Sequence, residues 1–108
     1  MEENKMNQSK KACSLKDVLD IIGGKWAMPI IYNLSKGKMR FKEIERTIEG
    51  INTRMLVKEL KNLEANGIIT REVFATVPPT VEYALTTKGG KLLPSIRSLH
   101  QWGQEYAV

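Results

Sequence analysis

The chain has 108 residues, of which 42% are apolar and 27% charged, with a formal net charge of +5. That length and balance fit one globular domain with a thin core and leave little room for a second, and the longest uncharged apolar run, residues 26–32, is far too short to span a membrane. One cysteine excludes an intrachain disulfide, and one cysteine with one histidine argues against a protein-only metal site, so no cofactor is expected.

Residues 1–12 are polar and aperiodic and read as a flexible arm. They lack the apolar stretch of a signal peptide, which makes the cytoplasm the expected location. The domain then runs over residues 13–108. Ser14 caps a first helix in which Leu15, Val18, Leu19 and Ile22 recur at helical spacing, and Gly23-Gly24 stops it. A second helix spans residues 26–35, with Pro29 tolerated in its first turn. Phe41, Ile44 and Ile48 mark a short third helix. Asn52 is a good N-cap for a fourth, whose apolar stripe is Leu56, Leu60 and Leu63 and whose expected terminal glycine is Gly67.

The period then changes. Residues 68–75 and 81–86 are rich in β-branched and aromatic side chains and form a hairpin with Pro78 and Pro79 near its tip. Met39-Arg40 supplies a short third strand. A last helix begins near Thr86 or Thr87, and Pro94 should kink it or split its first turns away. The fold class is therefore mostly α with a small antiparallel β-hairpin: a winged helix-turn-helix with an added helix at each end. Most of the positive surplus lies in one third of the chain. Residues 36–71 hold nine basic and five acidic side chains, which is where phosphate contacts are sought. No internal repeat, P-loop, dinucleotide fingerprint or HExxH zinc motif is present, and His100 has no catalytic partners arranged around it in the sequence, so enzymatic activity is not expected.

This layout closely resembles the HxlR-type family of bacterial transcriptional regulators. The matching segments are Cys13, GGKW at 23–26, FKEI at 41–44, INTRMLVKELKNLEANGII at 51–69, and PPTVEYALT at 78–86 followed by Gly89. The resemblance implies a non-enzymatic, double-stranded DNA-binding homodimer that pairs through its terminal helices. The fourth helix would be the recognition helix and the hairpin the wing. One departure stands out: family wings often carry a basic residue after the proline pair, and here that position is Thr80.

A recognition helix enters the major groove N-terminus first, so residues at its tip reach base edges. Thr53, Arg54 and Val57 are the base-contact candidates. The Arg54 fork suits guanine O6 and N7, Thr53 can donate to a base or a phosphate, and Val57 can touch a thymine methyl. Lys58 and Lys61 are assigned to phosphate, as are Lys38, Arg40 and Lys42 before the third helix, whose N-terminal amides also favour an anion. Asn52, Arg71 (the only basic residue on the hairpin) and Thr80 complete the phosphate-contact set. Trp26 is read as a core anchor. Leu92, Ile96, Leu99, Trp102 and Tyr106 form an apolar face assigned to the dimer interface.

Cys13 has two readings. It is either a small buried hydrophobe or a reactive thiol, favoured as thiolate by the start of the first helix and by Lys10 and Lys11. Some members of the resembled family sense oxidants or electrophiles through a cysteine at this position. Two alternatives to a plain DNA-binding regulator stay open. One is a winged-helix protein-interaction module that binds no DNA. The other is a regulator with a small-molecule effector pocket between the dimer helices and the DNA-binding core.

Overall fold

The computed structural model of the chain describes residues 14–107. The arm at 1–12 and Cys13 lie outside the described residues. Helix α1 (Leu15–Ile22) starts at a reciprocal cap: the Asp17 amide donates to Ser14 Oγ, and the Ser14 amide donates to the Asp17 carboxylate at 3.0 Å. Its inward face is Val18, Ile21 and Ile22, whereas Leu15 and Leu19 stand in solvent. Helix α2 (Ala27–Leu34) carries the centre of the core, with Ala27, Ile30, Ile31 and Leu34 all buried. Pro29 falls in its first turn, where an amide hydrogen would have no helical acceptor. Trp26 caps this helix and packs its half-buried ring against the core.

Three short elements place the fourth helix. Strand β1 (Met39–Arg40) leads directly into α3 (Phe41–Thr47), and α4 (Thr53–Ala65) follows after a short turn. Leu56, Leu60 and Leu63 of α4 are buried together with Ile44 of α3. At the end of α4 the Ile68 amide reaches back to the Leu63 carbonyl at 2.9 Å, and the Gly67 amide to that of Glu64 at 3.0 Å. Gly67 has φ +73°, the left-handed geometry that this helix stop requires and that side chains resist.

Strands β2 (Ile69–Phe74) and β3 (Thr80–Leu85) form the hairpin, and β1 adds to its other side, giving the antiparallel order β1-β3-β2. The register pairs Arg71 with Tyr83 and Met39 with Tyr83, so these three form one row across the sheet. Arg40, Glu82 and Glu72 form the adjacent row on the opposite face. The fold is thus a mostly helical winged helix-turn-helix with a small antiparallel sheet and an extra helix at each end.

Pro94 divides the C-terminal segment. It stands in the first turn of α6 (Leu93–Tyr106), and a separate short helix α5 (Thr87–Gly90) precedes it. The Thr86 hydroxyl accepts from the Gly89 amide at 2.9 Å and donates to the Gly67 carbonyl at 2.6 Å, tying α5 to the end of α4. Gly89 packs so closely that an added Cβ would meet the Ile68 carbonyl oxygen at 2.1 Å, while the same atom at Gly90 would meet nothing within 4 Å. Gly89→Ala is therefore expected to destabilise the fold by about 1–3 kcal/mol through overpacking. Gly90→Ala should stay within about 0.5 kcal/mol. Equal urea midpoints for the two variants would contradict this packing.

Candidate nucleic-acid interface

The buried leucine stripe decides which way α4 faces. Arg54, Lys58 and Lys61 follow the i, i+4, i+7 spacing on the side away from Leu56, Leu60 and Leu63, and all three are exposed. No carboxylate among the described residues engages their charged groups. Val57 is exposed beside them. Asn52 caps the helix: its Oδ1 accepts from the Met55 amide at 2.8 Å. The far side of α4 is fastened to α1, where Asn62 Nδ2 donates to the Ile21 carbonyl at 3.2 Å. Thr53, the first residue of the helix, donates its hydroxyl proton to Glu45 Oε2 of α3 at 2.5 Å.

Lys38, Arg40 and Lys42 are exposed. At the start of α3 the Arg40 amide donates to the Glu43 carboxylate at 2.8 Å, and Lys42 is the second residue of the helix. The Lys42 and Arg46 side chains of α3 are exposed, with Arg40 just before the helix. These side chains meet the wing across a groove of about 560 Å³, where Arg40, Lys42 and Arg46 face Pro79 and Thr80. Arg46 was not singled out by sequence. The available signal was its i+4 spacing from Lys42 on a short helix.

Arg71 lies elsewhere than the wing tip. It shares a cleft of about 360 Å³ with Lys61, Glu64, Val57 and Tyr83, between α4 and the sheet. The other sheet face is acidic, since Glu72 stands directly opposite Glu82 with Arg40 next in the row. Like charges directly opposite each other repel, and Arg40 beside Glu82 offsets part of that charge.

The C-terminal apolar face divides in two. Ile96, 6% exposed, belongs to the chain's own core, and Leu92 is half-buried against it. Leu99, Trp102 and Tyr106 are 56%, 58% and 66% exposed, with the Trp102 and Tyr106 rings 5.7 Å apart. Between α2 and α6 runs an apolar groove of about 370 Å³ lined by Met28, Pro29, Tyr32, Ile96, Leu99 and His100. His100 tilts against the Tyr32 ring at 5.4 Å. Among the described residues, no group of three or more His, Cys, Asp or Glu is placed to hold a metal ion, and no helix is long and apolar enough to cross a membrane.

Residues 21–108 match the family model described as HxlR-like helix-turn-helix. An uncharacterized HTH-type transcriptional regulator of Methanothermobacter thermautotrophicus is 44% identical over 101 residues, which span 94% of this chain and 77% of the relative. The redox regulator HypR in its oxidized form superposes with a TM-score of 0.82 at 44% identity, covering 86% of this chain and 96% of that one. The reduced form of the transcriptional regulator YodB from Bacillus subtilis gives 0.76 at 35% identity, covering 89% and 95%.

The Asn52 cap sets where α4 begins, and with it the position of Thr53 and Arg54. Asn52→Ala should cost about 1 kcal/mol in urea unfolding, and Asn52→Asp, which keeps a capping oxygen, should recover most of it. Unchanged stability in the alanine variant would show that the cap does not hold the helix start.

Proposed function

Because the chain belongs to the HxlR-like helix-turn-helix family of transcriptional regulators, we propose that it is a sequence-specific regulator that binds double-stranded DNA as a homodimer on a pseudo-palindromic promoter site. The observation that carries this reading is the exposed Arg54–Lys58–Lys61 face on the helix whose other side is buried. Helix α4 enters the major groove, and Arg54, nearest its tip, takes the bidentate pairing with guanine. Lys58 and Lys61 neutralise backbone phosphates. The groove between α3 and the wing brings Arg40, Lys42 and Arg46 to a second stretch of backbone. The wing contributes Thr80 and a wall, with α3 supplying the charge that its own tip lacks. The mechanism is occupancy: bound protein blocks or recruits polymerase in the cytoplasm.

Leu99, Trp102 and Tyr106 support pairing of two copies through α6, since a contiguous exposed apolar patch is costly to leave in water. Redox or electrophile control through Cys13 is supported by the likeness to HypR, itself named a redox regulator. An apolar effector finds support in the groove between α2 and α6, lined by Met28, Tyr32, Ile96 and Leu99. An interaction module that binds no DNA remains the outcome to test against.

Arg54→Ala should flatten the preference at one base pair per half-site, where a bidentate contact discriminates by roughly 1–3 kcal/mol. Lys58→Ala should weaken all duplexes alike and lower the salt slope by roughly one phosphate equivalent. Binding to variant duplexes across a salt series separates the two. Unchanged relative affinities for Arg54→Ala would remove its base-reading role, and an unmutated protein with no duplex preference would favour the interaction module. In sedimentation at micromolar concentration the protein should show about twice the 12.3 kDa chain mass, and Trp102→Ala should shift it toward monomer. A monomeric unmutated protein contradicts the dimer.

A further inference from the structure

The bond between Thr53 and Glu45 reverses what the threonine can do at a DNA surface. A threonine hydroxyl has one proton to donate and two lone pairs to accept with, and it ordinarily rotates to suit its partner. Here the proton goes to the Glu45 carboxylate, at 2.5 Å. Glu45 is half-buried on α3, and no lysine or arginine among the described residues pairs with it. A hydrogen bond to an ionised acceptor is roughly twice as strong as a neutral one, so the proton favours Glu45 over the water around this exposed residue. Thr53 Oγ1 is left as an acceptor, held in one direction at the first turn of α4.

An acceptor is selective among the groups that DNA presents. Phosphate oxygens only accept, so a committed Thr53 has no hydrogen to give them, and the adjacent carboxylate repels their charge. In the major groove guanine offers O6 and N7 and thymine offers O4, all acceptors. Adenine N6 and cytosine N4 are amino donors.

We propose that Glu45 and Thr53 form one specificity element, which selects an amino-bearing base, adenine or cytosine, at one position of each half-site and rejects guanine, thymine and phosphate there. The inference rests on the reading of α4 as a major-groove helix. Glu45 is the positioning residue, and Thr53 is the group that meets the base. The preference reads strand as well as composition: exchanging the two bases of the pair replaces the amino group with a keto oxygen at the contacted place.

The test uses the full chain and a duplex selected from a random library, with every single-base variant of one half-site measured in competition. The unmutated protein should favour adenine or cytosine over guanine and thymine by about 3- to 10-fold at one position, the range of a single net hydrogen bond. Thr53→Val should flatten that position alone. Thr53→Ser, which keeps the hydroxyl and loses the methyl, should retain the preference. Glu45→Ala frees the hydroxyl proton, so guanine and thymine should rise to within about 2-fold of the amino bases. Matching circular dichroism and thermal melting for the variants establish that they fold.

The inference fails if the position lost in Thr53→Val is one where the unmutated protein favours guanine or thymine. It also fails if Thr53→Val changes no position, if Thr53→Ser loses the preference along with Val, or if Glu45→Ala leaves the ranking intact. A clear duplex preference that survives these substitutions overturns the inference and leaves the DNA-binding reading standing. No preference in the unmutated protein overturns both.

Discussion

Burial of Leu56, Leu60 and Leu63 fixes the rotation of α4 about its own axis. Each such leucine contributes roughly 1.5–3 kcal/mol on removal from water. A turn of the helix by one residue, 100°, would expose part of that stripe and drive charged groups toward Ile30, Ile31 and Ile44. The cationic side of α4 is thus held outward with no salt bridge among the described residues to direct it. The Asn52 cap fixes where the helix begins, and the Gly67 turn fixes where it ends. The surface offered to a partner is therefore set by apolar packing on the opposite side of the same helix.

The sheet extends this logic to charge. Alternation along β2 sends Arg71 to the cleft against α4 and Glu72 to the outer face, where it meets Glu82. One side of the hairpin thus continues the positive surface of α4 and the other opposes it. The uncharged tip at Thr76 to Thr80 is consistent with a wing that shapes a groove while Arg40, Lys42 and Arg46 of the adjoining segment carry its charge. At the other end of the molecule, α6 uses Ile96 to hold on to the core and leaves Leu99, Trp102 and Tyr106 exposed.

Features governed by neighbouring residues were readable from the sequence. Asn52 before a leucine stripe, Gly67 after it, Met39-Arg40 as a third strand and Pro94 as a break all follow from local chemistry. The features set by tertiary packing were not. Leu15 and Leu19 have the right spacing for a buried face, yet α1 turns Val18, Ile21 and Ile22 inward, a choice made by the surface it packs on. The sequence grouped Ile96 with the exposed aromatics because all lie on one helix face, and only the position of α2 separates them. Thr53 was read as a donor because nothing in the chain order brings Glu45, eight residues earlier, to its hydroxyl. Glu72 and Glu82 meet through strand register, which a one-residue slip would abolish. The redox reading of Cys13 drew on the helix start, Lys10, Lys11 and the family resemblance, and Cys13 lies outside the described residues.

On the proposed function, the outward side of α4, together with the α3–wing groove, is the surface that meets DNA. Backbone amide spectra of the isotopically labelled protein, titrated with a selected duplex, test it most directly. The largest shift changes are expected at residues 53–61 and 38–46, with the α6 amides of Leu99, Trp102 and Tyr106 nearly unmoved. Changes concentrated on α6 while residues 53–61 stay in place would contradict it.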